Sequence, residues 1–208
     1  REAIPAYIEA AKLDQKDATI QYNLSYLYDQ IGEKEKADFY LNNAITLKSN
    51  DLEGRLKLAE RLVEKGRFAA AKKHLKAVLK KKPKSTEALV LMAQILENEG
   101  DKENLKDIYQ TLLSLSPEND TLRYNLGALH YETGDLDAAR SYFSQYVTSH
   151  PGDETVHEIL FDIHSRMDRK EDAFEEAMAL VKVNPRNLLP YTYIYDYLKE
   201  KGRYGQII

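Results

Sequence analysis

The sequence predicts an all-α solenoid of stacked helix–turn–helix units, and three observations predict it. Glycines recur at a step of 34 residues, at Gly32, Gly66, Gly100, Gly134 and Gly202, with Asp168 in the one substituted position. Nine glycines in the chain would place roughly a quarter of a glycine in six such positions by chance, so five there mark a repeat. Helix-capping residues recur at the same step: Asp17, Asp51, Ser85, Asn119, Asp153 and Asn187. Pro83, Pro117, Pro151 and Pro185 each lie two residues before a cap and forbid one continuous helix.

Behind each cap runs an apolar stripe at i, i+3, i+4, i+7, begun by Gln21, Leu89 or Tyr191 and their equivalents. Its second column is Leu24, Leu58, Met92, Leu126, Leu160 and Ile194, uniformly large. The third is Ser25, Ala59, Ala93 and Gly127, then Phe161 and Tyr195. Small residues there imply a close helix approach, which explains Gly127 inside a helix. The fourth is Tyr28, Leu62, Leu96, His130, His164 and Leu198. The glycine step closes this helix, because glycine adopts the left-handed conformation of a helix C-terminus, and Asp168 tolerates it better than most residues. A second helix follows, marked by Ala3, Ala37, Ala71, Leu105, Ala139, Ala173 and Ile207 and, four residues on, by Tyr7, Leu41, Leu75, Tyr109, Phe143 and Ala177.

The expected helices span 18–31, 34–47, 52–65, 68–82, 86–99, 102–115, 120–133, 136–149, 154–167, 170–183 and 188–201. The segment YTYIYDYL, Tyr191 to Leu198, alternates like a strand. The repeat frame instead puts Tyr191, Ile194, Tyr195 and Leu198 on one helical stripe, with Pro190 in the first turn, and six-fold periodicity outweighs an eight-residue window.

At this point the chain resembles the tetratricopeptide repeat (TPR) family. The segment YNLGALHYETGDLDAARSYFSQYVTSHPGD carries that motif's Leu-Gly, Tyr or His, Gly-Asp, Ala, Phe and Pro in order. The resemblance implies a right-handed α-solenoid over the whole chain, 1–208, divided as a partial unit 1–17, complete units 18–51, 52–85, 86–119, 120–153 and 154–187, and an incomplete unit 188–208. The family's tryptophan slot holds Gln21, Arg55, Leu89, Arg123, His157 and Tyr191, so it is expected to be only partly buried. Both ends fall mid-repeat, and the chain is expected to be a piece of a longer protein.

Composition restricts function less than fold. A net charge of −4 and 43% hydrophobic residues describe a folded chain with no apolar run near the ~18 residues of a membrane span, and argue against global nucleic-acid binding. With no cysteine there is neither a disulfide framework nor a thiolate nucleophile, and cytoplasm and periplasm stay equally open. His157 and His164 stand seven apart on one helix, where a metal pair wants four, so no metal or other cofactor is expected. Acidic pairs such as Glu60 and Glu64 read as surface charge on a helix. Seven lysines between Lys72 and Lys84 crowd the end of a second helix, where its dipole favours cations, and read as a solvated face. The chain is therefore expected not to be an enzyme.

The resemblance makes the free face of each first helix a concave groove that holds partner segments. Six columns of six residues map to it, eleven acidic and three basic, a net of −8 that leaves +4 for the rest of the chain. Candidate groove residues are Tyr22, Tyr26, Asp29, Glu53, Lys57, Glu60, Tyr124, Ala128, Tyr131, Glu132, Glu158, Asp162 and Tyr193. An acidic groove bearing tyrosines favours a basic or aromatic protein segment. The family's carboxylate clamp is not matched, since the column of Tyr22 lacks lysine and that of Tyr26 lacks asparagine. An asparagine ladder is also broken, keeping only Asn23 and Asn125. The expected function is thus a non-catalytic scaffold for protein–protein interaction. Alternatives are an accessory array within a longer enzyme or an envelope or secretion assembly protein, and a module that self-associates through its repeat ends.

Overall fold

The computed structural model describes residues 3–48, 50–203 and 205. Among them the chain forms twelve α-helices and no strand: α1 (Ala3–Leu13), α2 (Ala18–Gln30), α3 (Lys34–Leu47), α4 (Leu52–Glu64), α5 (Phe68–Lys81), α6 (Thr86–Glu99), α7 (Lys102–Leu115), α8 (Asp120–Glu132), α9 (Leu136–Ser149), α10 (Glu154–Arg166), α11 (Lys170–Val183) and α12 (Leu189–Glu200). The strand-like segment lies inside α12. Ile207, the last of its column, lies outside the described residues.

The helices begin where the side chains can satisfy free backbone amides. Asp17 accepts from the Thr19 amide at 2.7 Å, Asp51 from Gly54 at 3.0 Å, Asn119 from Leu122 at 3.1 Å and Asp153 from Val156 at 3.1 Å, and Ser85 caps α6 in the same way. The sixth cap differs. Asn187 accepts from the Leu189 amide at 3.0 Å, but α12 starts at Leu189 with Leu188 in the capping position and Pro190 in its first turn. The glycines of the 34-residue step all have φ between +67° and +82°, and Asp168 sits at +55°.

The chain divides into two compact units, 1–112 and 113–208, with the boundary inside α7. In the first, α1 to α6 pack in sequence order and α4 also touches α6. Leu24, Ala37, Ala44, Leu75 and Ile95 are fully buried there. In the second, α8 to α12 pack in order around Leu126, Phe143, Val156, Leu160, Ile163 and Leu180, all at 0% exposure. Gly127 faces the Phe143 ring so closely that a Cβ would stand 2.9 Å from it, which is the close approach its column implies.

Two columns depart from expectation. In the tryptophan slot Arg55 and Arg123 are half-buried and Tyr191 is exposed, as expected, whereas Gln21, Leu89 and His157 are buried. Phe161 is half-buried and Tyr195 is 48% exposed, so bulk in the small column is accommodated by turning outward.

Candidate functional site

Helical spacing gathers part of the expected groove into one place. On α2, Tyr22, Tyr26 and Asp29 follow one another by four and three residues and share a face; on α4, Glu53 and Lys57 do the same. Together with Asn23, Asp51, Gly54 and Arg61 they line a cleft of about 420 Å³. Gly54 makes this arrangement fit, since a Cβ there would stand 2.8 Å from the Tyr22 hydroxyl. Tyr26 is 62% exposed, an aromatic face available to a ligand.

Arg61 is the residue that column reading misses. Its guanidinium, 11% exposed, reaches Asp29 Oδ1 at 2.8 Å through Nη2 and Asp38 Oδ1 at 2.6 Å through Nε. Lys65 Nζ takes the other oxygen of Asp38 at 2.8 Å. The Asp38 hydrogen bond holds the Lys65 ammonium above the usual lysine range. Asp29 is consequently a compensated charge and not a free acid of the expected groove. The signal lay in the slot of Leu27, Arg61, Ile95, Leu129, Ile163 and Tyr197, where Arg61 is the single charged residue.

Glu60 faces a neighbouring cleft of about 450 Å³, lined also by Leu56, Thr86, Glu87, Val90 and Leu91 of α4 and α6. In the second compact unit the candidate residues are mostly engaged. Tyr124, Ala128 and Tyr131 pack against the core cluster of Ala139, Phe143, Val156, Leu160 and Ile163. The Tyr131 hydroxyl donates to Asp162 Oδ2 at 2.7 Å, and this bond raises its pKa above the ordinary tyrosine range. Arg166 lies over the Tyr131 ring at 5.7 Å and donates to the same carboxylate at 3.4 Å. Glu158 accepts from Asn187 Nδ2 at 2.8 Å. Tyr193 meets Phe161 edge-on at 5.0 Å and donates to the Lys170 carbonyl at 3.2 Å. Glu132 is exposed on α8. A smaller cleft, about 340 Å³, joins Tyr124 to Asp120, Thr121, Tyr146, His150, Asp153 and Thr155.

The histidines are committed to structure. His157 is bonded at both ring nitrogens, to Glu176 Oε2 at 2.6 Å and to the Pro151 carbonyl at 3.1 Å, and the Glu176 bond raises its pKa. Burial lowers those of His74 and His164. In the lysine run, Lys72 is paired with Glu99 at 2.6 Å, while Lys73, Lys76, Lys80, Lys81, Lys82 and Lys84 face solvent. Among the described residues no helix is long and apolar enough to cross a membrane.

Known proteins match this arrangement at the level of the repeat. A model of the N-terminal TPR region of Psidin matches residues 53–193, and a model of a single tetratricopeptide repeat matches residues 18–51. The BBSome complex member BBS4 of Bos taurus is 30% identical over 183 residues, 88% of this chain and 28% of that protein. BBS4 of Mus musculus is 26% identical over 132 residues, 64% of this chain and 19% of the relative. The chain thus spans about a quarter or less of the curated relatives it matches. Among solved structures, YrrB, described as a TPR protein with an unusual peptide-binding site, superposes with a TM-score of 0.60 at 19% identity, over 89% of this chain and 95% of its own. Naa15/Naa10 bound to HypK-THB gives 0.65 at 20% identity, over 95% of this chain and 31% of the matched one. With repeats, caps, turn glycines and the Psidin-type model all in agreement over most of its length, the chain belongs to the tetratricopeptide repeat family.

Proposed function

We propose that the chain is a non-catalytic scaffold whose first-helix faces hold a segment of a partner protein. The observation that carries this reading is the cleft between α2 and α4, which brings Tyr22, Tyr26, Asp29, Glu53 and Lys57 together around open space. Exposed tyrosine supplies a rigid amphipathic contact for an aromatic side chain, and the exposed Glu53 favours a basic one. No cofactor and no nucleic acid belongs to this reading. The likeness to BBS4, named as a member of a complex, and to Naa15, seen with bound partners, supports a protein partner. A second reading, an accessory array within a longer protein, is favoured by the 28% share of the bovine relative that the chain covers.

The test is site-specific photocrosslinking. A benzophenone amino acid at position 26 is expected to capture one partner, with the yield falling when Glu53→Lys is added. The same group at Lys76 or Lys80 is expected to capture nothing. Crosslinks from 76 or 80 with none from 26 would move the site to the outer lysines.

A further inference from the structure

The negative charge of the first-helix faces is concentrated in one place. The columns on α4 and α6 hold Glu53, Glu60, Glu64, Glu87 and Glu97 against Lys57 alone, which is −4 of the total −8. On the other first helices three of the six column acids are paired with cations: Asp29 with Arg61, Asp162 with Arg166 and Glu200 with Lys170 at 3.0 Å. Among the described residues none of the five glutamates on α4 and α6 forms an ion pair. The single cation, Lys57, lines the α2–α4 cleft instead. Between these glutamates lies the apolar floor of the α4–α6 cleft, Leu56, Val90 and Leu91, with Glu60 and Glu87 on its rim. Val90 is 51% exposed, an aliphatic side chain on a helix that is open to solvent. The Glu87 carboxyl is held below the usual carboxylate range by its own backbone amide and then by the Ser85 hydroxyl, so it stays charged.

We infer that the α4–α6 cleft takes a partner segment in which one aliphatic side chain is flanked by lysine or arginine. The aliphatic group covers Leu56, Val90 and Leu91, and the flanking cations reach Glu60 and Glu87. Apolar burial supplies the hold, and the two carboxylates, neither of them in an ion pair among the described residues, supply orientation and speed of encounter. This rests on the scaffold reading and narrows it from a general acidic groove to one aliphatic anchor between two helices.

Fluorescein-labelled decapeptides in a serine–glycine context test it, with Arg-Ile-Arg, Arg-Ser-Arg or Glu-Ile-Glu at the centre and the intact chain as titrant. Arg-Ile-Arg is expected to bind about tenfold tighter than either counterpart. Val90→Ser should remove the preference for isoleucine, and Glu60→Lys with Glu87→Lys should remove the preference for arginine. Thermal melts verify that these surface variants fold. Equal binding of the three peptides overturns the inference. Retained Arg-Ile-Arg binding in Val90→Ser that is lost in Tyr26→Ala also overturns it, placing the segment between α2 and α4 and leaving the scaffold reading intact. Absence of any peptide binding together with absence of crosslinks from position 26 overturns both.

Discussion

Arg123, His157 and Tyr191 stand 34 residues apart in one slot and perform one task with three chemistries. Each donates to the carbonyl of the proline six residues earlier: Arg123 to Pro117, His157 Nε2 to Pro151 at 3.1 Å and Tyr191 to Pro185 at 3.0 Å. The proline that stops a helix leaves its carbonyl without an intrahelical partner, and this slot supplies one. For His157 the second ring nitrogen faces Glu176, so the doubly bonded imidazolium is the favoured form. Its raised pKa contributes stability that is present below the ordinary histidine value near 6.5 and is lost as pH rises through the folded value. His74 and His164, buried and lowered, contribute in the opposite sense: their share is present above the ordinary value and is lost as pH falls through the folded one. Imidazole NMR titration is expected to place His157 above ordinary histidine and the other two below it; His157 titrating below His164 would contradict the pair of hydrogen bonds at its ring. Gly127 gives a steric counterpart. Gly127→Ala drives a Cβ to 2.9 Å from the fully buried Phe143 ring and is expected to cost ~1–3 kcal/mol in denaturant melts. Gly152→Ala, with open space and no positive φ, should instead stabilise by ~0.4–1 kcal/mol. Similar losses at both positions would mean that steric crowding is not what Gly127 relieves.

Neighbouring helix pairs are tied by charges that occupy equivalent positions. Asp38 on α3 meets Lys65 at the end of α4 at 2.8 Å, and 34 residues on Lys72 meets Glu99 at 2.6 Å with the signs exchanged. Glu35 with Lys65 at 3.4 Å and Glu171 with Lys201 at 2.8 Å form a second equivalent pair. The Lys72–Glu99 pair, partly exposed on both sides, contributes at most ~1 kcal/mol. Lys72→Glu should therefore lower the midpoint of unfolding modestly, and adding Glu99→Lys should restore it; a double-mutant coupling near zero would reduce the pair to proximity. Helix ends were legible in the sequence because a cap, a left-handed glycine or a proline acts within a few residues of itself. These ties were not, since they depend on long side chains reaching between helices. Arg61 escaped notice for that reason, although its charge in an otherwise apolar and aromatic column marked it.

Across the whole molecule, periodicity made the architecture readable, because each step of 34 residues repeats one packing problem. It could not show the division into two compact units inside α7, since the glycine, cap and apolar columns run through that helix without a break. The groove columns likewise sum to a charge without locating it, and only side-chain geometry separates compensated acids such as Asp29 and Asp162 from Glu60. The exchanged signs at Asp38–Lys65 and Lys72–Glu99 also bear on how such a gene could change. Recombination between repeats removes whole units while keeping every helix in phase, so arrays can shorten without losing their frame. Excision of residues 52–85 would join α3 to α6 and set Asp38 against Glu99, with Arg61 and Lys65 gone. An acid 7% exposed in the present fold would then face a like charge. Shortened by that unit, the chain is expected to melt below the same deletion carrying Asp38→Lys, in which the new pair repeats that of Lys72 and Glu99. Equal melting of the two would show the units to be interchangeable. The predicted order makes the unit 52–85 one that its neighbours require, and closes one route by which the array could evolve to a shorter length.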